Sequence, residues 1–85
     1  MEIRGTSMRT AELGKAYDGG VIERGEGYIH NVESCIKIGE ALHARVHGHQ
    51  VYATTFHLGT LRGECSCPFG SNCKHAVAAY LYYKG

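Results

Sequence analysis

Near the C-terminus, Cys65, Cys67, Cys73 and His75 fall in the pattern C-x-C-x5-C-x-H. Three thiols and an imidazole make one of the closed donor sets that hold a structural zinc ion tetrahedrally. The spacing suits that use. Cys65 and Cys67 are separated by one residue, so both sulfurs turn toward one point only if the chain bends at once, and Pro68 and Gly70 supply the bend. Cys73 and His75 open an apolar run of helical character, and the partial positive charge of a helix N-terminus favours thiolate. A disulfide framework is the competing use of four cysteines in a short chain. Against it, Cys65 and Cys67 are too close to pair readily with each other, and Met1–Thr10 lacks the apolar core of a secretion signal. A catalytic zinc keeps one position open to water, whereas four ligands close the shell. The deaminase pattern H-x-E…P-C-x-x-C is also missing. The expected cofactor is therefore one structural zinc ion.

A chain of 85 residues buries only about 60–65% of the surface it exposes unfolded, so a metal staple supplies stability that a small core cannot. Metal binding and folding are then one equilibrium. No run approaches the roughly 20 apolar residues of a membrane span. The composition reads as soluble and intracellular, where thiols stay reduced and clustered cysteines bind metal. Net charge is only +1. Residues 1–40 carry five Lys/Arg against seven Asp/Glu, whereas residues 41–85 carry Arg45, Arg62, Lys74 and Lys84 against Glu64 alone. The C-terminal half is modestly basic.

Along the chain, residues 1–17 read as a partly ordered extension: a tail, a strand added at a sheet edge, or in part a remnant of expression. Residues 18–85 form the zinc-binding domain. Val21, Ile22, Gly25, Tyr28 and Ile29 recur at three- and four-residue intervals, which predicts an amphipathic helix from Val21 to about His30 with Asp18 as its cap. Gly25 and Gly27 cost about 1 kcal/mol each against alanine, so packing must hold this helix, and glycine on its packing face lets a strand or the zinc loop approach closely. Val32, Ser34, Ile36 and Ile38 then alternate with Glu33, Cys35 and Lys37; Leu42, Ala44 and Val46 with His43, Arg45 and His47; Tyr52, Thr54, Phe56 and Leu58 with Val51, Ala53, Thr55 and His57. Tight glycine-containing turns between these runs predict an antiparallel meander. Gly59 and Gly63 bracket an extended piece that delivers Cys65, and a last helix from about Cys73 to Tyr83 buries Val77 with Leu81 and Ala76 with Tyr80. The expected fold class is α+β: a small zinc-stabilised domain with an N-terminal helix, a β-meander of about three strands, a zinc knuckle and a C-terminal helix. Cys35 stands apart from the cluster and reads as a small strand residue.

Cys65-Ser66-Cys67-Pro68 and Cys73-Lys74-His75-Ala76-Val77-Ala78 resemble the SWIM zinc finger, whose metal pattern is C-x-C-xn-C-x-H, commonly CSCP…CKH-x-VA. Arg24-Gly25-x-x-Tyr28, Ala44-Arg45-Val46-His47-Gly48 and Tyr52 match the same module more loosely. The resemblance covers roughly residues 18–84. It implies a short helix and a set of strands ahead of the metal site, and a surface near the last helix used for nucleic acid or protein contact. SWIM modules are usually appended to larger proteins; this sequence reads as a small stand-alone member.

Two functional classes follow. As a DNA-binding module, the chain would meet phosphates through Lys74, Arg45, Arg62, Lys37 and His47, with Tyr83 exposed to stack a base. Lys37, His43, Arg45, His47, Thr55 and His57 would share the open face of the sheet, where they are otherwise simply solvated. As a protein-interaction adaptor it would present exposed tyrosines, and the resemblance implies recombinase-related or other DNA-processing ATPases as partners. Five histidines outside the cluster do not imply a second metal, since His43 and His47 lie about 13 Å apart on a strand. No nucleophile–base pair, phosphate loop or open metal position points to an enzyme, and no small-molecule substrate or membrane partner is expected.

Overall fold

The computed structural model describes residues 13–68, 70 and 72–85. Most of the N-terminal extension, residues 1–12, lies outside the described residues. A helix α1 (Gly19–Glu26) and a single 3-10 turn (Ile29–Asn31) lead into four strands, β1 (Val32–Ile38), β2 (Ala41–His47), β3 (Val51–His57) and β4 (Arg62–Cys65), and a final helix α2 (Lys74–Lys84). The strands form one antiparallel sheet in the order β1-β2-β3-β4. The α+β fold matches the sequence expectation, with one strand more than the three expected.

Asp18 caps α1, its side chain accepting from the Gly20 amide at 3.1 Å. The helix begins two residues earlier than expected and ends at Glu26, with the Gly27 and Tyr28 amides donating to the carbonyls of Arg24 and Gly25. Both glycines near its end weaken continuation, so the apolar periodicity through Ile29 is carried by a tighter 3-10 turn. Gly25 faces α2 rather than a strand or the zinc loop. A β-carbon there would lie 2.4 Å from Val77 Cγ1 and 2.9 Å from the Lys74 carbonyl, so the close helix–helix approach exists only because residue 25 has no side chain.

Helix α2 packs on all four strands with one side and on α1 with the other. That sandwich explains why His75 through Leu81 are all buried: a helix covered on both sides is apolar all round rather than amphipathic. Val77, Leu81, Ala76 and Tyr80 are inside as expected, and Tyr82 and Tyr83 are exposed. Phe56 of β3 stacks on Tyr80 at 4.7 Å and faces Tyr17 at 6.2 Å. Leu13 and Tyr17 are thus core residues, fully and almost fully buried. No periodicity in so short a polar stretch had marked them.

The alternation on β2 and β3 holds, with Leu42, Ala44, Val46, Tyr52, Thr54 and Phe56 buried. On β1 it inverts. Val32 pairs with Val46 but Ser34 pairs with Arg45, so two steps on β1 match one on β2 and Glu33 is the extra residue of a β-bulge. Beyond the bulge Cys35 opposes Ala44 and Lys37 opposes Leu42 on the helix-covered face, while Ile36 opposes His43 and Ile38 opposes Ala41 on the open face. Ile36 and Ile38 are therefore 60% and 62% exposed. Cys35 is instead half-buried against the core, its thiol 3.9 Å from the Ala79 carbonyl. Burial pushes the Cys35 thiol up from its ordinary value, the behaviour of a small packing residue.

Candidate metal centre

β4 runs directly into the knuckle. Its pairing with β3 places Cys65 opposite Thr54, and the Ser66 amide donates to the Ala53 carbonyl. The chain then folds back at Cys67–Gly70. The Gly70 amide donates to the Cys67 carbonyl, the Cys65 amide donates to the Gly70 carbonyl, and Gly70 has φ 88°. That left-handed conformation is strained for any residue with a β-carbon, which is why the knuckle needs glycine there. Asn72, at φ 49°, accepts from the Gly63 amide through its side chain and donates its own amide to the Gly63 carbonyl. Asparagine tolerates this region better than most residues. The clasp returns the chain to the sheet just before Cys73, which starts α2 as its N-cap.

Cys65, Cys67, Cys73 and His75 each direct one donor atom to a common point, and these atoms lie within 4.8 Å of one another. His75 Nδ1 is 3.6 Å from both Cys65 Sγ and Cys73 Sγ. Tetrahedral zinc with Zn–S near 2.3 Å and Zn–N near 2.0–2.1 Å separates nitrogen and sulfur by about 3.6 Å, so the donor set fits such an ion. Three of the four are almost fully buried and Cys65 is partly exposed. Cys65 accepts from the Cys73 thiol and from the Thr54 hydroxyl at 3.3 Å, which holds it below the ordinary thiol range. Cys73 is pushed up, first by donating to Cys65 and then by burial. Crowded thiols cannot all ionise without a compensating cation, and a divalent metal at their centre supplies it. Tyr17 belongs to the same packing unit: burial, then the nearby Cys73, raises its hydroxyl well above the ordinary tyrosine range.

Behind the cluster, the His75 ring is boxed by Tyr28, edge-on at 5.2 Å, and Tyr52, tilted at 4.9 Å. Its other nitrogen, Nε2, is buried without a hydrogen-bond partner among the described residues. A cleft of about 380 Å³ opens beside it, with Tyr28, Tyr52, Arg24, Lys74 and Gly48 among its walls. Lys74 Nζ lies 4.9 Å over the Tyr28 ring, a cation–π arrangement. Neither Arg24 nor the two tyrosines stood out from composition, though all three are positions of the looser upstream resemblance.

The other expected contact residues do not gather into one stripe. Arg45 stands on the open sheet face opposite Ala53. His47 Nε2 is 2.8 Å from Glu33 Oε1, placed there by the bulge. Arg62 pairs with His57, itself 3.7 Å from Glu64. Lys37 was expected on that face and is on the opposite one, because the bulge reverses its strand. Tyr83 is exposed near the far end of α2.

Residues 49–84 match the SWIM zinc-finger family. The chain is also 38% identical over 71 residues to an uncharacterized protein of Methanocaldococcus jannaschii, an alignment covering 80% of this chain and 31% of the relative. The chain thus spans about a third of the length of that curated relative. No solved structure matches. Among the described residues no helix is long and apolar enough to cross a membrane. With its C-x-C-x5-C-x-H donors converged on one point and the family match spanning all four, the segment 49–84 of this chain is a SWIM zinc finger.

Proposed function

We propose that this chain is a zinc-binding module for DNA, in which one structural, non-catalytic zinc held by Cys65, Cys67, Cys73 and His75 fixes a basic contact surface beside the metal centre. The observation that carries the reading is the placement of Lys74 between two donor residues, together with Arg24 on the same cleft and no carboxylate among its described lining residues. Zinc orders the start of α2, and α2 in turn presents Lys74; the metal therefore acts on binding through the fold. Arg45 and Arg62 stand on the open face of the sheet, opposite the helix-covered one, and would offer a second, separate basic contact. The test is fluorescence anisotropy of labelled DNA with the zinc-loaded protein at low and moderate salt. Phosphate contact gives affinity that falls steeply with salt. Salt-independent binding, or none at low salt, would remove this reading. Lys74→Ala with Arg45→Ala should weaken binding and leave the fold intact.

A second reading, a protein-interaction adaptor, is favoured by Ile36 and Ile38 on an edge strand, both well exposed. Apolar side chains beside unpaired strand edges are natural sites of strand addition. Failure of DNA binding with retention of a partner in a pull-down, lost in Ile36→Lys, would favour it.

A further inference from the structure

The cleft beside the metal centre has a composition that phosphate binding alone does not require. Two aromatic rings, Tyr28 and Tyr52, wall it together with the His75 imidazole, and two cations, Arg24 and Lys74, line it. Bare backbone at Gly48 lets the chain close over the Tyr52 and His75 rings: a β-carbon there would fall 2.8 Å from the Tyr52 ring and 3.1 Å from His75 Nε2. That nitrogen is the unpartnered polar atom of a side chain only 4% exposed. With Nδ1 turned to the thiols, Nε2 carries the proton when a metal is bound, a buried N–H donor behind the cleft wall.

A planar ring wall with cations among the lining residues suits a molecule that is flat and bears an anion. A nucleotide has both. The cavity of about 380 Å³ is lined by Cys67, Cys73 and His75 as well, so the part beside the metal position is at the small end of ligand sites. In a duplex the bases are stacked and show only their edges in the grooves, so a base enters such a cleft only after leaving the stack. We infer that the cleft takes one unstacked nucleotide of a single strand, the base packed against the partly exposed Tyr28 ring and the phosphate held by Arg24 and Lys74. This rests on the DNA-binding reading and narrows it to single strands.

Three labelled ligands of equal length decide it with the zinc-loaded full chain in one anisotropy assay: a single strand, a single strand of abasic residues, and a duplex. The normal single strand should bind at least about fivefold more tightly than the abasic one, since a stacked base is worth roughly five- to a hundredfold. Equal affinity for the abasic strand, or for the duplex, would overturn the nucleotide cleft while leaving DNA binding in place. No salt-sensitive binding to any of the three would overturn both. In variants, Arg24→Ala should weaken normal and abasic strands alike and preserve their ratio. Tyr28→Ala should bring the ratio to about one; an undiminished ratio in a folded Tyr28→Ala protein places the base elsewhere. The wild-type comparison decides the matter even if Tyr28→Ala fails to fold.

Discussion

Gly25→Ala sets two effects of opposite sign against each other. In a helix interior alanine is favoured over glycine by about 1 kcal/mol, so propensity alone predicts a more stable protein. The structure predicts the reverse. A β-carbon at residue 25 would meet Val77 Cγ1 at 2.4 Å, Val77 Cβ at 2.5 Å and the Lys74 carbonyl at 2.9 Å. Val77 is fully buried and the third atom is backbone, so relief requires α1 and α2 to separate. Overpacking of this kind costs about 1–3 kcal/mol or more, and three contacts inside 3.0 Å put it at the upper end. After the propensity gain, the net destabilisation is about 2 kcal/mol. For a domain of this size that lowers the melting temperature by on the order of 10 °C. The assay is thermal unfolding by circular dichroism at fixed excess zinc, because bound metal shifts the midpoint by mass action. Gly27→Ala is the internal control: its β-carbon meets only the Arg24 carbonyl at 3.4 Å, and its midpoint should stay level or rise. Zinc affinity should also fall in Gly25→Ala, since Lys74 lies between two donor residues. A Gly25→Ala protein as stable as wild type would refute the packing argument and leave propensity as the governing term. Pairing it with Val77→Ala should give a loss smaller than the sum of the two singles.

Cys73→Ser or His75→Ala, or chelation of the wild-type protein, should abolish the cooperative melt because the small core depends on the metal; an unchanged melt after zinc removal would show that the cluster is not structural. Because metal binding and folding are one equilibrium, the thiols of the metal-free chain keep their ordinary values, and zinc binding at neutral pH should release about three protons. Titration calorimetry in buffers of different ionisation enthalpy measures the number, and a value well below about three would show that a thiol is already ionised before the metal binds. Protons compete with the metal for the three thiolates and the imidazole, so zinc affinity measured across pH should decline on the acid side, and a flat profile would contradict Cys3His ligation. Leu13→Ala should cost about 2–5 kcal/mol and Lys15→Ala less than about 0.5 kcal/mol, by urea unfolding; equal effects would remove Leu13 from the core.

The Cys3His donor cluster, the α+β class, the alternation of β2 and β3 and the buried side of α2 were legible in the sequence. Each rests on a local regularity: a fixed donor spacing, a period of two, or a period near four. Asp18 as a cap was legible for the same reason, since capping depends on residues two apart. The fourth strand was not, because Arg62–Cys65 has no alternation of its own and becomes a strand only by pairing with β3. Lys37 and Cys35 were assigned to the wrong faces of β1. A β-bulge has no composition signature in Val32-Glu33-Ser34; it is a shift in the register of β1 against β2, which leaves Glu33 beside His47. Leu13 and Tyr17 gain their burial from Phe56 and its neighbours, far along the chain. Gly25 was legible as a packing glycine but not its partner, because only the stacking of α1 on α2 brings Val77 to it. The cleft is the furthest from the sequence: Arg24, Tyr28, Gly48, Tyr52 and Lys74 come from two helices, a strand and the segments joining them. By itself the sequence determined which atoms could hold a metal and which local elements form around them. Long-range packing decided what surrounds that metal, because which side chains face one another across elements is set by register and helix approach, and neither is written in local spacing.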